Sequence, residues 1–138
     1  MQKHTRRRAL MMAGAALPLA AQKDTGHPVI HFEIGCKDLA KTQKFFGDLF
    51  GWKMQGSTMA ASIDTGSSKG VPGHFTSLGH EPQNYTTFYV EVDDVKAYLD
   101  KATALGGKTV VPPVKFPGGT FAWFTDPEGN MVGLLKPA

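Results

Sequence analysis

Apolar and polar residues alternate along "PVIHFEIG", Pro28–Gly35, and the β-branched and aromatic types there read as a strand with two unlike faces. The period then changes. In "DLAKTQKFFGDLFG" the residues Leu39, Phe46, Leu49 and Phe50 fall on or near one side of a helix, which Asp38 can cap and Gly51 can stop. The same change comes a second time. "TTFYVEV" alternates, and in "DDVKAYLDKATALGG" the residues Val95, Tyr98, Leu99, Ala102 and Leu105 form an apolar stripe closed by Gly106 and Gly107. Three short β-rich runs follow each helix, near 52–55, 59–65 and 75–78 in the first half and near 108–111, 120–125 and 131–136 in the second. "TGSSKGVPG" and "GHEPQNY" read as loops, the second linking the halves. "VPPVKFPGG" reads as a stiff rim or lid. Near the end, "DPEGN" reads as a tight turn in which Gly129 and Asn130 accept positive φ. "MVGLL" is then a buried strand with Gly133 in its middle.

The two halves keep a fixed spacing. Asp94 follows Asp38 by 56 positions, and at that offset Phe32 meets Phe88, Ile34 meets Val90, Leu49 meets Leu105 and Gly51 meets Gly107. "GHFTSLG" and "GNMVGLL" also align 56 positions apart. Each half is therefore a βαβββ unit. If Phe32, Ile34, Phe88 and Val90 face the helices, then His31, Glu33, Thr87 and Tyr89 face the other side. The same parity puts Met131 and Gly133 on that side, and the constant offset adds Phe75 and Ser77. Either Phe121 or Trp123 should supply an aromatic wall.

The 138 residues suffice for one domain, and 41% hydrophobic with 20% charged residues fit a globular chain. The net charge of +3 is unevenly placed. Without Lys3, Arg6, Arg7 and Arg8 the balance is 11 basic against 12 acidic residues, so the body carries no basic stripe for nucleic acid. "MQKHTRRRALMMAGAALPLAAQ" has a basic start, an apolar run from Ala9 to Ala21 and small residues before Gln22. That is the layout of an export signal over residues 1–21, followed by a linker over 22–27. "TRRRALM" resembles the twin-arginine signal, with Ala9 in place of the usual Phe and Met11 in place of the frequent Lys. Periplasmic or secreted delivery is expected, with a retained extension and cytoplasmic residence as the alternative. The apolar run is broken by Pro18 and too short to span a bilayer comfortably, so no stable membrane insertion is expected once the signal is removed. Cys36 is the sole cysteine and reads as a small buried hydrophobe.

Taken in order, "HFEI…DLAKTQKFFGDLFGW", "YVEVDDVKAYLDKATALGGK" and "FTDPEGNMVGLLKP" resemble the vicinal oxygen chelate superfamily. That group includes glyoxalase I, extradiol dioxygenases and the bleomycin and fosfomycin resistance proteins. The resemblance implies an α+β fold. Its two tandem βαβββ modules, 28–79 and 85–137 within one domain over 28–138, would form an open, curved mixed sheet around a ligand. It also implies four symmetric metal-ligand positions, one in the first and one in the last strand of each half. These map onto His31, Ser77, Thr87 and Gly133. Only His31 is a donor of the kind that zinc or iron prefers, and glycine stands where the family places a glutamate.

His31 keeps three readings: a polar group lining a cavity, a substrate-binding or acid/base residue, or a ligand of an improvised metal site with Glu33. The two residues share a strand face about 7 Å apart along the chain, so their side chains can converge on one molecule. His27, His74 and His80 lie by loops or strand ends and read as solvated. "EVDD" reads as a helix cap, "PGG" lacks the setting of a phosphate loop, and no nucleophile elbow appears. The sequence therefore leads to an exported protein that binds a small organic molecule without the usual metal. Its pocket would hold Phe75, Ser77, Thr87, Tyr89, Trp123, Met131 and Gly133. The alternatives are a lyase or isomerase using His31 and Glu33 as acid and base, or a degenerate interaction module. No cofactor is expected, a divalent metal being the lesser alternative, and a homodimer is left open.

Overall fold

The structure is a computed structural model that describes residues 26–138 except Ser57 and His80. The expected export signal lies outside these residues. The chain runs β1 (Val29–Gly35), α1 (Leu39–Phe50), β2 (Lys53–Gly56), β3 (Ala60–Asp64) and β4 (Gly73–Thr76). It then repeats as β5 (Tyr85–Glu91), α2 (Val95–Ala104), β6 (Lys108–Phe116), β7 (Gly119–Thr125) and β8 (Met131–Pro137). The eight strands form one mixed sheet in the order β2-β3-β4-β1-β5-β8-β7-β6. This is the α+β architecture of two βαβββ modules. Among the described residues no helix is long and apolar enough to cross a membrane.

The repeat sets the symmetry. β1 and β5 lie antiparallel at the centre of the sheet, and Phe32 pairs directly with Phe88, its counterpart 56 positions on. A pseudo-twofold axis therefore passes between them. Both helices start in the same way. The carboxylate of Asp38 accepts from Lys41 N–H at 3.0 Å, and that of Asp94 accepts from Ala97 N–H at 3.0 Å. Each bond satisfies one backbone donor that the first helical turn leaves unpaired. Gly51 ends α1 with φ 71°, a conformation that side chains with a Cβ resist.

Each helix covers its own core. Leu39 and Phe46 of α1 pack with Cys36, Ala61, Ile63 and Phe75, and the Trp52 ring stacks on Phe46 at 10°. Cys36 is thus the buried hydrophobe expected. Val95 and Leu99 of α2 pack with Val92, Ala122 and Leu134. Leu49, Phe50 and Leu105 belong to the apolar stripes of the sequence but stay more than half exposed. Each sits at the C-terminal end of its helix, where the chain turns away.

The last strands depart from the constant offset. β1 pairs with β4 in parallel, Glu33 opposite His74, and β5 pairs with β8 in the same sense, Tyr89 opposite Gly133. Since Tyr89 is the counterpart of Glu33, His74 is the counterpart of Gly133, 59 positions earlier rather than 56. The second half is three residues longer between helix and last strand. Its β6 has nine residues where β2 has four, with register breaks between Thr109 and Val111 and between Val111 and Val114. Pro112 and Pro113 lie in the second break. They are tolerated because β6 is an edge strand, where a missing N–H costs little. An odd change of register turns every side chain to the opposite face. Phe75 is accordingly fully buried under α1, and His74 faces the concave side. "VPPVKFPGG" is the end of β6 and its hairpin to β7, not a free lid. In "DPEGN" only Gly129 takes positive φ. Asn130 instead donates its side-chain N–H to Asp126.

Candidate functional site

The concave face of the sheet holds a cavity of about 1030 Å³. One wall is polar: His31 and Glu33 of β1, His74 and Thr76 of β4, and Tyr89 of β5. The facing wall is apolar and aromatic, with Val111 and Phe116 of β6, Phe121 and Trp123 of β7, and Leu135 of β8. Phe121 and Trp123 are two residues apart on one strand, so both face inward, which resolves the choice left open by the sequence.

Glu33 organises the polar wall. It is only 3% exposed, yet no described buried side-chain oxygen or nitrogen lacks a hydrogen-bond partner. Its Oε1 accepts from Tyr89 O–H at 2.6 Å and lies 2.9 Å from His74 Nε2, while Oε2 accepts from Tyr85 O–H. The Trp123 indole N–H in turn donates to the Tyr89 oxygen at 2.9 Å. Burial opposes ionisation of Glu33 most strongly. The hydrogen bonds from His74, Tyr85 and Tyr89 together outweigh it, and the carboxyl stays below its ordinary value. Burial first, and the Glu33 charge with it, pushes both tyrosines far above the usual phenol range. The cluster is thus an ionised carboxylate held by neutral phenols.

His31 extends the cluster toward the cavity. Its Nε2 lies 2.7 Å from His74 Nδ1. Burial, then the neighbouring His74 charge, lowers its pKa to about 4 against a smaller opposing pull from Glu33, so it is neutral near pH 7. A carboxylate only accepts, so the proton between Glu33 and His74 sits on His74 Nε2. In the form where both rings are neutral, His74 Nδ1 is an acceptor and His31 Nε2 its donor, and His31 Nδ1 then has no partner among the described residues. A proton taken up at His31 Nδ1 would let His31 Nε2 pass its own to His74, where the positive charge rests beside Glu33.

The role of Gly133 follows from the same geometry. It lies opposite Tyr89, and a Cβ placed there would stand 2.6 Å from Tyr89 Cε1. The glycine makes room for the ring that delivers its hydroxyl to Glu33. Gly35 does the same for Tyr85, where a Cβ would stand 2.5 Å from Cδ1.

The structure brings together His31, Glu33, Tyr89 and Trp123 as the sequence suggested, with Gly133 beneath Tyr89. It removes Phe75 to the core and Ser77 to the β3–β4 side, where its hydroxyl donates to the Met59 carbonyl. Thr87 and Met131 share the concave face but lie outside the cavity lining, the Thr87 hydroxyl donating to the Met131 carbonyl. His74, Thr76, Tyr85, Phe116 and Leu135 were missed. His74 is not a solvated loop residue, and His27 is held by Tyr98 and the Glu91 carbonyl, away from the cavity. His80 lies outside the described residues. A signal for His74 was present: in "HFT" the phenylalanine alternates with two polar neighbours, which alone assigns Phe75 to the core.

The four metal positions implied by resemblance become His31, His74, Thr87 and Gly133. The residues present do not fit a divalent ion. Both nitrogens of His74 are engaged, Thr87 is bonded to a carbonyl, and Gly133 offers no donor and borders space filled by Tyr89. His31, His74 and Glu33 are bonded to one another in a line rather than converging on one point. Among the described residues no group of three or more His, Cys, Asp or Glu side chains is arranged to hold a metal.

Known proteins place the chain. A glyoxylase-like domain-containing protein of Didymella fabae is 32% identical over 115 residues, covering 71% of this chain and 84% of that protein. Methylmalonyl-CoA epimerase from Mycobacterium tuberculosis superposes with a TM-score of 0.61 at 14% identity, over 87% of this chain and 95% of its own. The Mn(II)-bound glyoxalase from Novosphingobium aromaticivorans superposes with a TM-score of 0.55 at 18% identity, over 81% of this chain and 38% of its own. Residues 29–134 match the profile of the Glyoxalase/Bleomycin resistance protein/Dioxygenase superfamily, and the chain belongs to that superfamily.

Proposed function

We propose that this chain binds a small, largely apolar organic molecule in the concave cavity without a resident metal, and that residues 1–21 direct its export. The observation that carries the binding reading is the cavity itself. A wall of Phe116, Phe121, Trp123 and Leu135 faces one compact polar cluster, the usual composition of a small-molecule site. A thermal-shift screen of neutral aromatic compounds tests it. Binders should raise the unfolding temperature of the wild type and have a clearly smaller effect in Leu135→Trp, which puts a bulkier ring into the apolar wall. An equal response in both proteins would place binding elsewhere.

A second reading is favoured by the line from Glu33 through His74 to His31. In it His31 Nδ1 takes a proton from a bound substrate, His74 receives the charge, and Glu33 stabilises it without touching the substrate. This is the lyase- or isomerase-like alternative with altered roles: Glu33 is a positioning residue, and His74 joins the pair.

A further inference from the structure

Resting on the reading of the cavity as a ligand site, we propose that it selects uncharged molecules of aromatic size that donate one hydrogen bond to His31, and that it turns anions away. The first ground is charge. Among the described residues no lysine or arginine lines the cavity. The only arginines of the chain are Arg6, Arg7 and Arg8, so residues 26–138 contain none. Glu33 is the one carboxylate among the described residues that line the cavity. An anionic ligand would give up its water to sit beside a like charge with no lysine or arginine among the described lining residues to meet it. The methylmalonyl-CoA that the epimerase neighbour is named for is such an anion.

The second ground is hydrogen-bonding capacity. Both Glu33 oxygens are covered by Tyr85, Tyr89 and His74, so an ammonium group would find no bare carboxylate. The Tyr89 oxygen is engaged with Glu33 and Trp123, and Thr76 Oγ1 accepts from Leu78 N–H. His31 Nδ1 has no partner among the described residues, and no described buried nitrogen lacks one, so this atom is open to a ligand. In the form where both imidazoles are neutral, which the geometry of the cluster accommodates, it is an acceptor and calls for an O–H or N–H. The third ground is shape: Phe116, Phe121 and Trp123 offer ring surfaces on the facing wall.

Four naphthalene probes separate these terms by calorimetry with the full chain at pH 8, above the ordinary histidine range. 2-Naphthol should bind at least about tenfold more tightly than 2-methoxynaphthalene, which lacks the donor, and than 2-naphthoate, which is anionic; tenfold corresponds to about 1.4 kcal/mol. 2-Naphthylmethylamine, cationic at this pH, should also bind more weakly than the naphthol. His31→Phe should abolish the preference for naphthol over its methyl ether while leaving the ether's affinity within about twofold. If that variant fails to fold, the nitrogen NMR resonance of wild-type His31 Nδ1 should shift with naphthol and stay unmoved with the ether. Naphthoate or the amine binding as well as naphthol, or no difference between naphthol and its ether, overturns the inference and leaves the cavity reading standing. If no naphthalene binds up to millimolar concentration, the cavity reading falls and the inference with it.

Discussion

Gly133→Ala joins the fold to the site in one atom. The added Cβ would stand 2.6 Å from Tyr89 Cε1 and 3.0 Å from Cγ, against the body of the ring rather than its movable tip. The ring must therefore shift, and its hydroxyl is the part under load. It donates to buried Glu33 at 2.6 Å and accepts from Trp123 at 2.9 Å. Overpacking of this kind costs about 1–3 kcal/mol. Weakening a hydrogen bond to a buried charge costs about 1.5–3 kcal/mol. Alanine returns about 0.5–1 kcal/mol, because glycine loses more backbone freedom on folding. The two costs overlap, since one movement of the ring incurs both, so the net destabilisation should be about 2–3 kcal/mol. Urea unfolding measures it as a lower midpoint at unchanged slope. A double-mutant cycle isolates the cause: in a Tyr89→Ala background the same glycine substitution should be neutral or slightly stabilising. A cost below about 0.5 kcal/mol with Tyr89 intact, or an equal cost in both backgrounds, would refute the reasoning.

Two further outcomes are expected. His31 has its folded pKa lowered from 6.5 to about 4, so the unfolded chain binds the proton more readily and stability is lost as pH falls through that interval. After discounting for partial exposure this should amount to about 1–2 kcal/mol between pH 6.5 and 4, measured by urea unfolding at several pH values. Glu33, whose folded pKa is also lowered, contributes stability above its ordinary value of 4.5 that is lost as pH falls below it. His31→Phe should remove the upper part of the slope, and an unchanged profile would count against a half-buried neutral His31. Replacing Arg6 and Arg7 with lysine should hold the protein in the cytoplasm, read by fractionation; undiminished export would exclude the twin-arginine route.

The sequence disclosed the repeat because its local signals are strong and short in range. Asp38 and Asp94 mark two helix starts, and Phe32 and Phe88, 56 positions apart, pair on the pseudo-axis. The phase of the last strands was hidden because it depends on everything between helix and strand. The β6–β7 hairpin, with a register break at Pro112 and Pro113, is longer than its first-half counterpart and the β7–β8 connection is shorter, for a net gain of three residues in the second half. That odd number exchanged His74 for Phe75. Glu33 was legible as a residue on the concave face, but its role was not. Tyr85 and Tyr89 reach it from β5, and the space they occupy is made by glycines at positions 35 and 133. A glycine that looked like a missing ligand is a seat for a ring.

The central claim is that an organic molecule, and no metal, occupies the concave cavity of the working protein. Native mass spectrometry of the protein purified from its own host without chelator, with elemental analysis of the same sample, tests it most directly. An organic adduct of a few hundred daltons is expected, displaced by heat or denaturant and reduced in Leu135→Trp. No stoichiometric zinc, iron, manganese or nickel should accompany it. One tightly bound transition metal per chain, or a bare chain mass with no adduct, would contradict it.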